Sequence, residues 1–552
     1  MIRSQLKKIL DTCFDRGVAE GKWQEAGAGR YTVEVPKREG QGDFSTNMAM
    51  VLAGLEKKNP RQLAAGIMGY LEEHEGFVER VEAAGPGFVN IYLCREVWHG
   101  AIAVIADRGE SYGSSDIGAG RRVMVEFVSA NPTGPLSIGH GRQAILGDAI
   151  ARLLEKTGHQ VYREYYYNDA GRQMRVLGES TRARYLEALG LDFTFPEDGY
   201  QGEYIGDIAR SLIDEQGDAL KDHEDVTPFK KKAEEHIFAD ISATLERMGI
   251  IFDNYFNEQS LYRDGHIDEV VEELRGKELV YEKEGATWFK TTEFGQEQDR
   301  VIIKSSGEPT YRLPDIAYHR EKFKRDFDWL IDIFGADHIA TVPDVLAGVQ
   351  ALGYDDSKIK VLLHQFVTLT RDGKQVKMST RKATFVTVDE LLDMVGVDVA
   401  RFFFMMRKAD SQLEFDLGLA TQESQENPVY YVQYGHARLC SILRQAEEKG
   451  VQVPGHEEID IALLSEPEDL VLLKSMAAFP GLIESAALEL APHRVIFYLI
   501  ELAGQFHSYY NKHKVLSEDA ELSRARLVLV SALRTVFGNG LRYVGLSAPE
   551  QM

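Results

Sequence analysis

Residues 125–143 combine the residue types of a nucleotide-binding turn. Their sequence, VEFVSANPTGPLSIGHGRQ, predicts an apolar strand, a turn rich in glycine and proline, and the first turn of a helix. A helix start points unpaired N–H groups and a positive dipole end at its ligand, and Gly139 lets a flat ring approach the backbone. His140 and Ser137 add side-chain hydrogen-bond donors. Strand, glycine turn and helix in this order are typical of an ATP site.

A second segment, far along the chain, has the charge to complete such a site. Residues 376–382, VKMSTRK, predict a loop that carries several cationic side chains. A basic loop can close over phosphates that a helix start already holds. The two segments therefore predict an ATP site in two halves, and its candidate residues are Ser137, Gly139, His140, Lys377, Met378, Ser379 and Arg381.

The elements that would position these segments alternate between strand and helix from residue 119 to about residue 385. RVMVEFV, at residues 122–128, is nearly continuously apolar, as expected of a parallel strand that is covered on both faces. Apolar residues then recur at three- and four-residue spacing up to a stop at Gly158. This alternation predicts an α/β fold with a Rossmann-type parallel sheet. An acidic, helix-rich interval at about 174–281 is read as an insertion in this catalytic domain.

Breaks in pattern give the remaining domain boundaries. Residues 1–118 predict a small α+β domain that ends in a Gly/Ser-rich loop or linker. Residues 386–426 predict a helical connecting region, and residues 427–552 predict an α-helical bundle.

Composition indicates the cellular compartment of the protein and limits where a nucleic acid could bind. Three cysteines without a C-x-x-C pair indicate a reducing compartment and no zinc site. The N-terminus is too polar for a signal peptide, and no apolar run reaches the ~18 residues of a membrane span, so we expect a soluble cytoplasmic protein. The net charge is −24, so any bound polyanion must meet a local basic patch. One basic cluster, more typical of a solvated face than of a contact, is Lys322, Lys324 and Arg325.

Further motifs occur in an order that points to one family. YREYYYNDAGRQ lies at residues 162–173, PTYRLPDIAYH at 309–319, FGADH at 334–338 and NPVYYVQYGHAR at 427–438. With the two nucleotide segments, these motifs resemble a bacterial-type arginyl-tRNA synthetase of class I. The resemblance spans essentially the whole chain.

This resemblance implies a two-step reaction. Arginine would attack the α-phosphorus of ATP, and the 2′-hydroxyl of the terminal adenosine of tRNA(Arg) would then take the arginyl group. Ser137, His140, Lys377 and Arg381 would act on the reacting phosphate with Mg²⁺, and His338 would be a further ATP contact. The partners would be ATP, L-arginine and tRNA(Arg), with no tightly bound cofactor, no protein-bound metal, no membrane and a monomeric chain. Residues 1–118 would touch the tRNA elbow, and the C-terminal bundle would bind the anticodon arm. Tyr430, Tyr434 and Arg438 could bind RNA there or merely pack the bundle.

The arginine pocket can be considered from what a guanidinium requires. Its five N–H donors need carboxylates or several coplanar acceptors. Glu126 lies within an apolar strand, where an unpaired carboxylate is costly, so it should face a cation or hydrogen-bond donors. Asp315 and Tyr311 lie four residues apart, on one face if their segment is helical, although Asp315 could instead cap a helix after Pro314. The residues that the resemblance places around the substrate are Glu126, Ser129, Asn131, Tyr311, Asp315 and Asp337.

Two positions depart from the family pattern. Ser137 stands where the first histidine of H-I-G-H is usual, and Thr380 stands where the loop K-M-S-K-S has its second lysine. An inactive paralogue that binds tRNA or senses arginine would explain Ser137 but not the retained pocket residues. A small-molecule adenylyl or cytidylyl transferase would share the nucleotide site but would not need the two flanking domains. A Rossmann dehydrogenase is disfavoured because no G-x-G-x-x-G follows a strand with a suitably placed acidic residue.

Overall fold

The structure, a computed structural model, describes residues 2–36, 38, 40–371, 373–376 and 386–552. Lys377, Met378, Ser379 and Arg381, the predicted phosphate-closing loop, lie outside the described residues. The short 3₁₀ helices in the described part are Glu25–Gly27, Gly109–Ser111, Thr291–Phe294, Ala336–Ala340, Asp356–Lys358, His456–Glu458 and Ile461–Leu463.

The N-terminal region is a small α+β unit. Its elements are α1 (Ile2–Ala19), β1 (Val33–Glu34), β2 (Phe44–Thr46), α2 (Met48–Glu56), α3 (Pro60–Glu72), β3 (Val78–Ala84), β4 (Phe88–Leu93) and α4 (Arg95–Arg108). The strands form an antiparallel sheet in the order β1-β2-β4-β3. α1 follows the predicted helical spacing, since Leu6, Leu10 and Phe14 are buried along one face. The expected α+β fold is confirmed.

The central region alternates strands and helices. Its elements are β5 (Arg122–Glu126), α5 (Ile138–Lys156), β6 (Gln160–Tyr167), α6 (Gly171–Ala188), α7 (Glu203–Gln216), α8 (Thr227–Arg247), β7 (Asn254–Asn257), α9 (Gln259–Arg263), α10 (His266–Gly276), β8 (Val280–Lys283), β9 (Ala286–Phe289), β10 (Arg300–Ile303), α11 (Arg312–Lys324), β11 (Trp329–Gly335), α12 (Val342–Ala351), β12 (Ile359–His364), β13 (Val367–Arg371) and β14 (Lys374–Gln375).

Five of these strands form the predicted parallel sheet, in the order β12-β11-β5-β6-β7. The order of the strands reverses between β5 and β11, so a crevice opens there at their carboxyl ends. The interval 174–281 is helix-rich as expected, but β7 within it forms the edge of this sheet. A four-residue strand has too little periodicity to be recognised in the sequence. A separate antiparallel sheet, β10-β9-β8, follows.

α5 is packed very closely against the sheet. A β-carbon at Gly147 would lie 2.2 Å from the ring of Phe127, so only glycine fits at this crossing. The helix ends at Thr157 and Gly158, and Gly158 has a φ of +84°. The predicted stop is therefore correct, and the start of α5 is fixed at the sheet crevice.

The C-terminal region is mainly helical, as predicted. Its elements are α13 (Val388–Val395), α14 (Val397–Met405), β15 (Leu413–Asp416), α15 (Leu417–Ala420), α16 (Pro428–Glu448), α17 (Pro467–Leu488), α18 (His493–Lys512) and α19 (Ala520–Tyr543). β15 pairs in parallel with β13, which in turn pairs with β14, and this small sheet was not predicted. By length and composition α17 could cross a bilayer, but half of its apolar stretch is buried, which is also typical of a core helix.

The Gly/Ser-rich segment at residues 109–120 is a loop that packs against the C-terminal helices. Tyr112 is fully buried, and its hydroxyl donates to the Met476 carbonyl at 2.9 Å. The Asn539 side chain donates to the carbonyls of Gly109 and Tyr112. The segment therefore attaches the first catalytic strand to the helical region instead of serving as a free linker.

Candidate active site

A cavity of about 780 Å³ lies at the carboxyl ends of β5 and β11. Its size is in the range of small-molecule sites, and it occupies the crevice where the strand order reverses. The predicted arginine and ATP residues in the described part of the chain all line it, and these are Glu126, Ser129, Asn131, Ser137, Gly139, His140, Tyr311, Asp315, Asp337 and His338. The fold thus brings together residues that are up to about 200 positions apart, although their individual roles remain predictions.

The loop after β5 is held in an uncommon conformation. Val128 and Ser129 have φ angles of 69° and 44°, in the left-handed region that β-branched residues such as valine rarely adopt. This turn points the Ser129 hydroxyl at Glu126, to whose Oε1 it donates at 3.0 Å, while it accepts from the Tyr166 backbone N–H at 3.2 Å. Such strain is retained where surrounding contacts fix a functional geometry.

The start of α5 is closed by Ser137 and His140. The Ser137 hydroxyl accepts from the His140 N–H at 3.5 Å, and the Ser137 N–H donates to His140 Nδ1 at 3.3 Å. Burial lowers the pKa of His140 to about 4, so the imidazole is neutral near pH 7. Because Nδ1 accepts, the proton lies on Nε2. His140 therefore offers an uncharged N–H donor beside the free N–H groups of the helix start.

The sequence was right that Glu126 requires a partner. Glu126 is buried, and its Oε2 lies 2.5 Å from the Lys322 ammonium. Lys322 also lies 2.6 Å from Asp332, which in turn lies 2.9 Å from His319 Nε2. Lys322 has no exposed surface, so its interpretation as part of a solvated basic cluster was wrong. This burial could not be predicted from the sequence, because the orientation of the helix decides which member of a basic cluster is buried.

Two further carboxylates lie deep in the cavity. Burial raises the pKa of Asp315 to about 7, and within the described part of the chain no group donates a hydrogen bond to its carboxylate. Glu258, which follows β7, accepts from the Tyr166 hydroxyl at 2.6 Å and from the Asn168 side chain at 2.8 Å. Burial raises its pKa as well. Sequence reasoning missed Glu258, because the edge strand that delivers it was not recognised.

Tyr311 occupies the capping position of α11 and is 86% exposed at the cavity rim. Asp315 lies one helical turn further on, and its N–H donates to the Tyr311 carbonyl at 3.4 Å. The two therefore share one side of the helix, as their spacing predicted. The alternative interpretation of Asp315 as a helix cap was wrong, because Tyr311 holds that position and the carboxylate of Asp315 lines the cavity.

Part of the cavity lining is aromatic and apolar. The rings of Phe334 and His338 are stacked with centroids 5.2 Å apart, and Phe366 is 67% exposed at the opening. A flat base could be held against such rings. Asp337 lies at the exposed rim beside them.

The described residues on both sides of the predicted phosphate loop reach this site. Val367 and Val386 line the cavity. Just after Val386, Thr387 forms an isolated antiparallel β-bridge with Ser137. The Val388 N–H donates to the Leu136 carbonyl at 2.9 Å. The chain therefore returns from that segment directly onto the start of α5.

The candidate RNA-binding residues form one stripe on α16. Tyr430, Tyr434 and Arg438 follow at four-residue spacing and are all partly exposed. The two tyrosine rings are stacked with centroids 6.3 Å apart, and the Arg438 guanidinium lies 4.7 Å from the Tyr510 ring centroid. The stripe therefore packs partly against the bundle and is partly open to solvent.

A parallel sheet with a helix start at its crevice, between an N-terminal α+β unit and a helical C-terminal domain, is the architecture expected of a class I aminoacyl-tRNA synthetase. The model of the family "tRNA synthetases class I (R), catalytic domain" matches residues 103–414. "Arginyl tRNA synthetase N terminal domain" matches residues 1–93, and "DALR anticodon binding domain" matches residues 432–552. The chain belongs to the arginyl-tRNA synthetase family and is therefore an arginine–tRNA ligase.

Individual relatives agree with this membership. The chain is 70% identical to the arginine–tRNA ligase of Desulfotalea psychrophila, with 100% of both chains covered. The crystal structure of a putative arginyl-tRNA synthetase from Campylobacter jejuni is 30% identical, with a TM-score of 0.77 over 83% of this chain and 100% of the other. The Thermus thermophilus arginyl-tRNA synthetase shares the fold at 23% identity, with a TM-score of 0.77 and 100% of both chains covered.

Proposed function

We propose that this ligase activates L-arginine in the cavity between β5 and β11 and passes it to the 2′-hydroxyl of the terminal adenosine of tRNA(Arg). The observation that carries this assignment is the group of three carboxylates inside the cavity, Glu126, Asp315 and Glu258, which lines the same cavity as the neutral His140 and is separate from the exposed Asp337 at the rim. Arginine has two cationic groups, and this cavity has anions for both.

The guanidinium is assigned to Asp315 and Glu258, and the α-ammonium to Glu126. The Asp315 carboxylate lines the cavity and accepts no hydrogen bond from the described residues, so it can take the forked donor of a guanidinium. Glu126 lies at the end of β5, close along the chain to the helix start where the α-carboxylate of arginine must meet ATP. Ser129 and Asn131 extend this polar side, Asp337 lies at the rim, and Tyr311 covers the opening. Apolar amino acids and citrulline would leave these carboxylates unpaired, which supports discrimination of about 10⁴-fold without proofreading.

ATP is assigned to the apolar side and the helix start. The adenine lies against the ring face formed by Phe334 and His338, and Gly139 lets the nucleotide approach the backbone. Ser137 shapes the helix start, and His140 Nε2 donates to the α-phosphate as negative charge develops. Lys377, Met378, Ser379 and Arg381 are proposed to hold the departing pyrophosphate.

Mg²⁺, when bound, would neutralise charge on the pyrophosphate. Its ligands would be mainly phosphate oxygens, and the exposed carboxylate of Asp337 at the cavity rim fits such a hard cation. In the first step the arginine carboxylate attacks the α-phosphorus and pyrophosphate leaves. The protein contributes in-line positioning and charge stabilisation.

For the second step, residues 1–118 are assigned to the tRNA elbow and residues 427–552 to the anticodon arm. The stripe of Tyr430, Tyr434 and Arg438 supplies partly exposed aromatic faces and one cation for RNA bases and phosphates. We propose that the protein works as a cytoplasmic monomer without a membrane partner.

The test is arginine-dependent pyrophosphate exchange and aminoacylation, each with and without tRNA(Arg). Arginine should support both reactions, whereas lysine and citrulline should not. Tight tRNA binding without exchange or aminoacylation would instead identify an inactive paralogue. Ser137, the residue that motivates this alternative, has a structural role as the cap of α5, so its presence does not require inactivity.

A further inference from the structure

Lys322 of α11 is a fully buried lysine with two carboxylate partners. Its Nζ lies 2.5 Å from Glu126 Oε2 and 2.6 Å from Asp332 Oδ1, and it lies 4.4 Å from the Tyr318 ring centroid. Glu126, Tyr318 and His319 line the cavity, whereas Lys322 and Asp332 lie behind them. The lysine therefore supports the cavity wall without reaching the space that a ligand would fill.

The sheet explains why a cation is needed at this point. Glu126 of β5 and Asp332 of β11 are directly paired in the parallel register, so two carboxylates lie side by side on neighbouring strands. Like charges in such positions repel, and burial makes the repulsion stronger. α11 crosses this pair and places one ammonium between them. Without it, one of the two carboxyl groups would be expected to take up a proton.

We propose that Lys322 is a positioning residue for the amino-acid substrate, because it keeps Glu126 ionised and holds its carboxylate toward the cavity as a preformed partner for a cationic group of arginine. This inference rests on the proposed role of Glu126. The Ser129 hydroxyl fixes Oε1 and Lys322 fixes Oε2, so the orientation of the carboxylate is determined before substrate enters. Preorganisation of this kind lowers the cost of binding.

The charged groups around Lys322 support this assignment. From α11 itself, His319 places Nε2 against Asp332 and Nδ1 against the Asp315 carbonyl, so a protonated ring would donate from both nitrogens. On the β6 side, Glu164 accepts from the Tyr318 hydroxyl and is paired with Arg325 at 2.6 Å.

Glu164 is thus neutralised separately, and Lys322 is left to balance Glu126 and Asp332. Burial alone would lower the pKa of Lys322, but the two carboxylates outweigh it and raise the pKa. Burial raises the pKa of Glu126, and the ammonium of Lys322 opposes that shift. Asp315 and Glu258 face the same cavity from α11 and from the end of β7 without this lysine as a partner.

The experiment compares Lys322→Met with Lys324→Met, an exposed lysine on the same helix. Aminoacylation is measured from about pH 6 to 9 with arginine and ATP varied separately. Lys322→Met should raise KM for arginine by at least about tenfold and leave KM for ATP within about twofold. The acid limb of kcat/KM for arginine should move to higher pH by one unit or so, because loss of the cation raises the pKa of Glu126 and also that of Asp315. Lys322→Arg should recover part of the arginine affinity, and Lys324→Met should behave as wild type.

Unchanged KM for arginine and an unchanged acid limb in Lys322→Met would overturn the inference. An equal rise of both KM values with a lowered Tm would also overturn it, since that result indicates a structural role alone. If Lys322→Met does not fold, the charge-balanced variant Lys322→Met/Asp332→Asn replaces it. KM for arginine should again rise while KM for ATP stays within about twofold, and an unchanged KM for arginine would again overturn the inference.

Glu126→Gln, measured in parallel, separates this inference from the proposed function. Unchanged KM for arginine in Glu126→Gln would remove Glu126 from the arginine site, and both assignments would fail. A raised KM in Glu126→Gln with wild-type behaviour in Lys322→Met would remove only the role of Lys322.

Discussion

At the scale of single residues, His140 and Ser137 divide two tasks at the start of α5. Ser137 supplies the capping hydroxyl, and His140 supplies a neutral donor whose tautomer is fixed by the Ser137 N–H. The family's usual first histidine is therefore replaced by a residue that stabilises the helix start. His140 was predicted from the sequence as a residue of the site. Its protonation state could not be predicted, because that state depends on burial in the folded protein.

Replacement of His140 tests its role in the first step. His140→Ala should lower kcat for pyrophosphate exchange by at least about tenfold, because a donor to the charge of the transition state is lost. Ser137→His should leave the rate unchanged or raise it, but should cost about 1 kcal/mol of stability through the lost cap. Rates and thermal unfolding are measured on the same preparations. A wild-type rate in His140→Ala would exclude His140 from the mechanism.

Asp315 should make arginine binding depend on pH. Its pKa is raised to about 7 in the free protein, and a bound guanidinium favours the carboxylate and lowers that pKa. Arginine binding should therefore release protons near pH 7, and kcat/KM for arginine should fall as the pH drops below about 7. Calorimetry in two buffers of different ionisation enthalpy measures the proton count. Proton uptake, or a pH profile that Asp315→Asn leaves unaltered, would contradict this assignment.

At the scale of elements, α5 is fixed along its length by two buried arginines. Near its start, Arg142 donates to the backbone carbonyls of Gln365, Lys408 and Ser411 at 2.7–3.0 Å. In its middle, Asp148 accepts from Arg401 at 2.5 Å, and Arg401 also donates to the Met248 and Val544 carbonyls. The helix that begins at His140 is thereby held against both the insertion and the C-terminal helices.

Loss of Arg401 should be far more damaging than loss of an exposed partner of the same carboxylate. Arg401→Met leaves Asp148 buried with Arg152 as its one remaining cation among the residues that the structure describes, and should destabilise the protein by about 3–5 kcal/mol. Arg152→Met is the matched control, because Arg152 is partly exposed, and should cost less than about 1 kcal/mol. Urea unfolding followed by circular dichroism compares the two. Equal unfolding midpoints would show that Arg401 does not hold α5.

The elements that could be predicted from the sequence are those with a long, regular pattern of apolar residues within one segment. The apolar run of β5, the helical spacing of α5 and its stop at Gly158 were all recognisable. β7 and β15 were missed because four residues carry no usable period, and their pairing partners lie about 90 and 46 residues away. Two residues at the site were missed for a related reason, one that lines the cavity and one that lies behind its wall. Glu258 follows β7, and Lys322 acquires its role only where α11 crosses β5 and β11.

At the scale of the whole molecule, a net charge of −24 must coexist with binding to a polyanion. The α16 stripe is the described surface where aromatic faces and a cation coincide with the predicted RNA-binding domain. A few local cations can bind phosphates in an acidic protein, because charges farther than about 10 Å away are screened at physiological salt. The N-terminal region reaches the same helical domain through α4 and α17, so the domains form a continuous body.

Arg438→Gln should therefore weaken tRNA binding without affecting the cavity. KM for tRNA(Arg) should rise severalfold, KM for arginine and ATP should not change, and the salt dependence of tRNA binding should become shallower by about one phosphate contact. Lys449→Gln, at an exposed cation beyond the end of the same helix, is the control. Filter binding at several salt concentrations measures the slope. An unaltered slope in Arg438→Gln would mean that the stripe only packs the bundle.

The account rests on the position of arginine in the cavity between β5 and β11. A crystal structure with a non-hydrolysable sulfamoyl analogue of arginyl-adenylate tests this most directly. We expect the guanidinium within hydrogen-bond distance of Asp315 and Glu258, the α-ammonium at Glu126, and the sulfamoyl group beside His140 Nε2. A guanidinium that contacts neither Asp315 nor Glu258, or an analogue bound outside this cavity, would contradict the account.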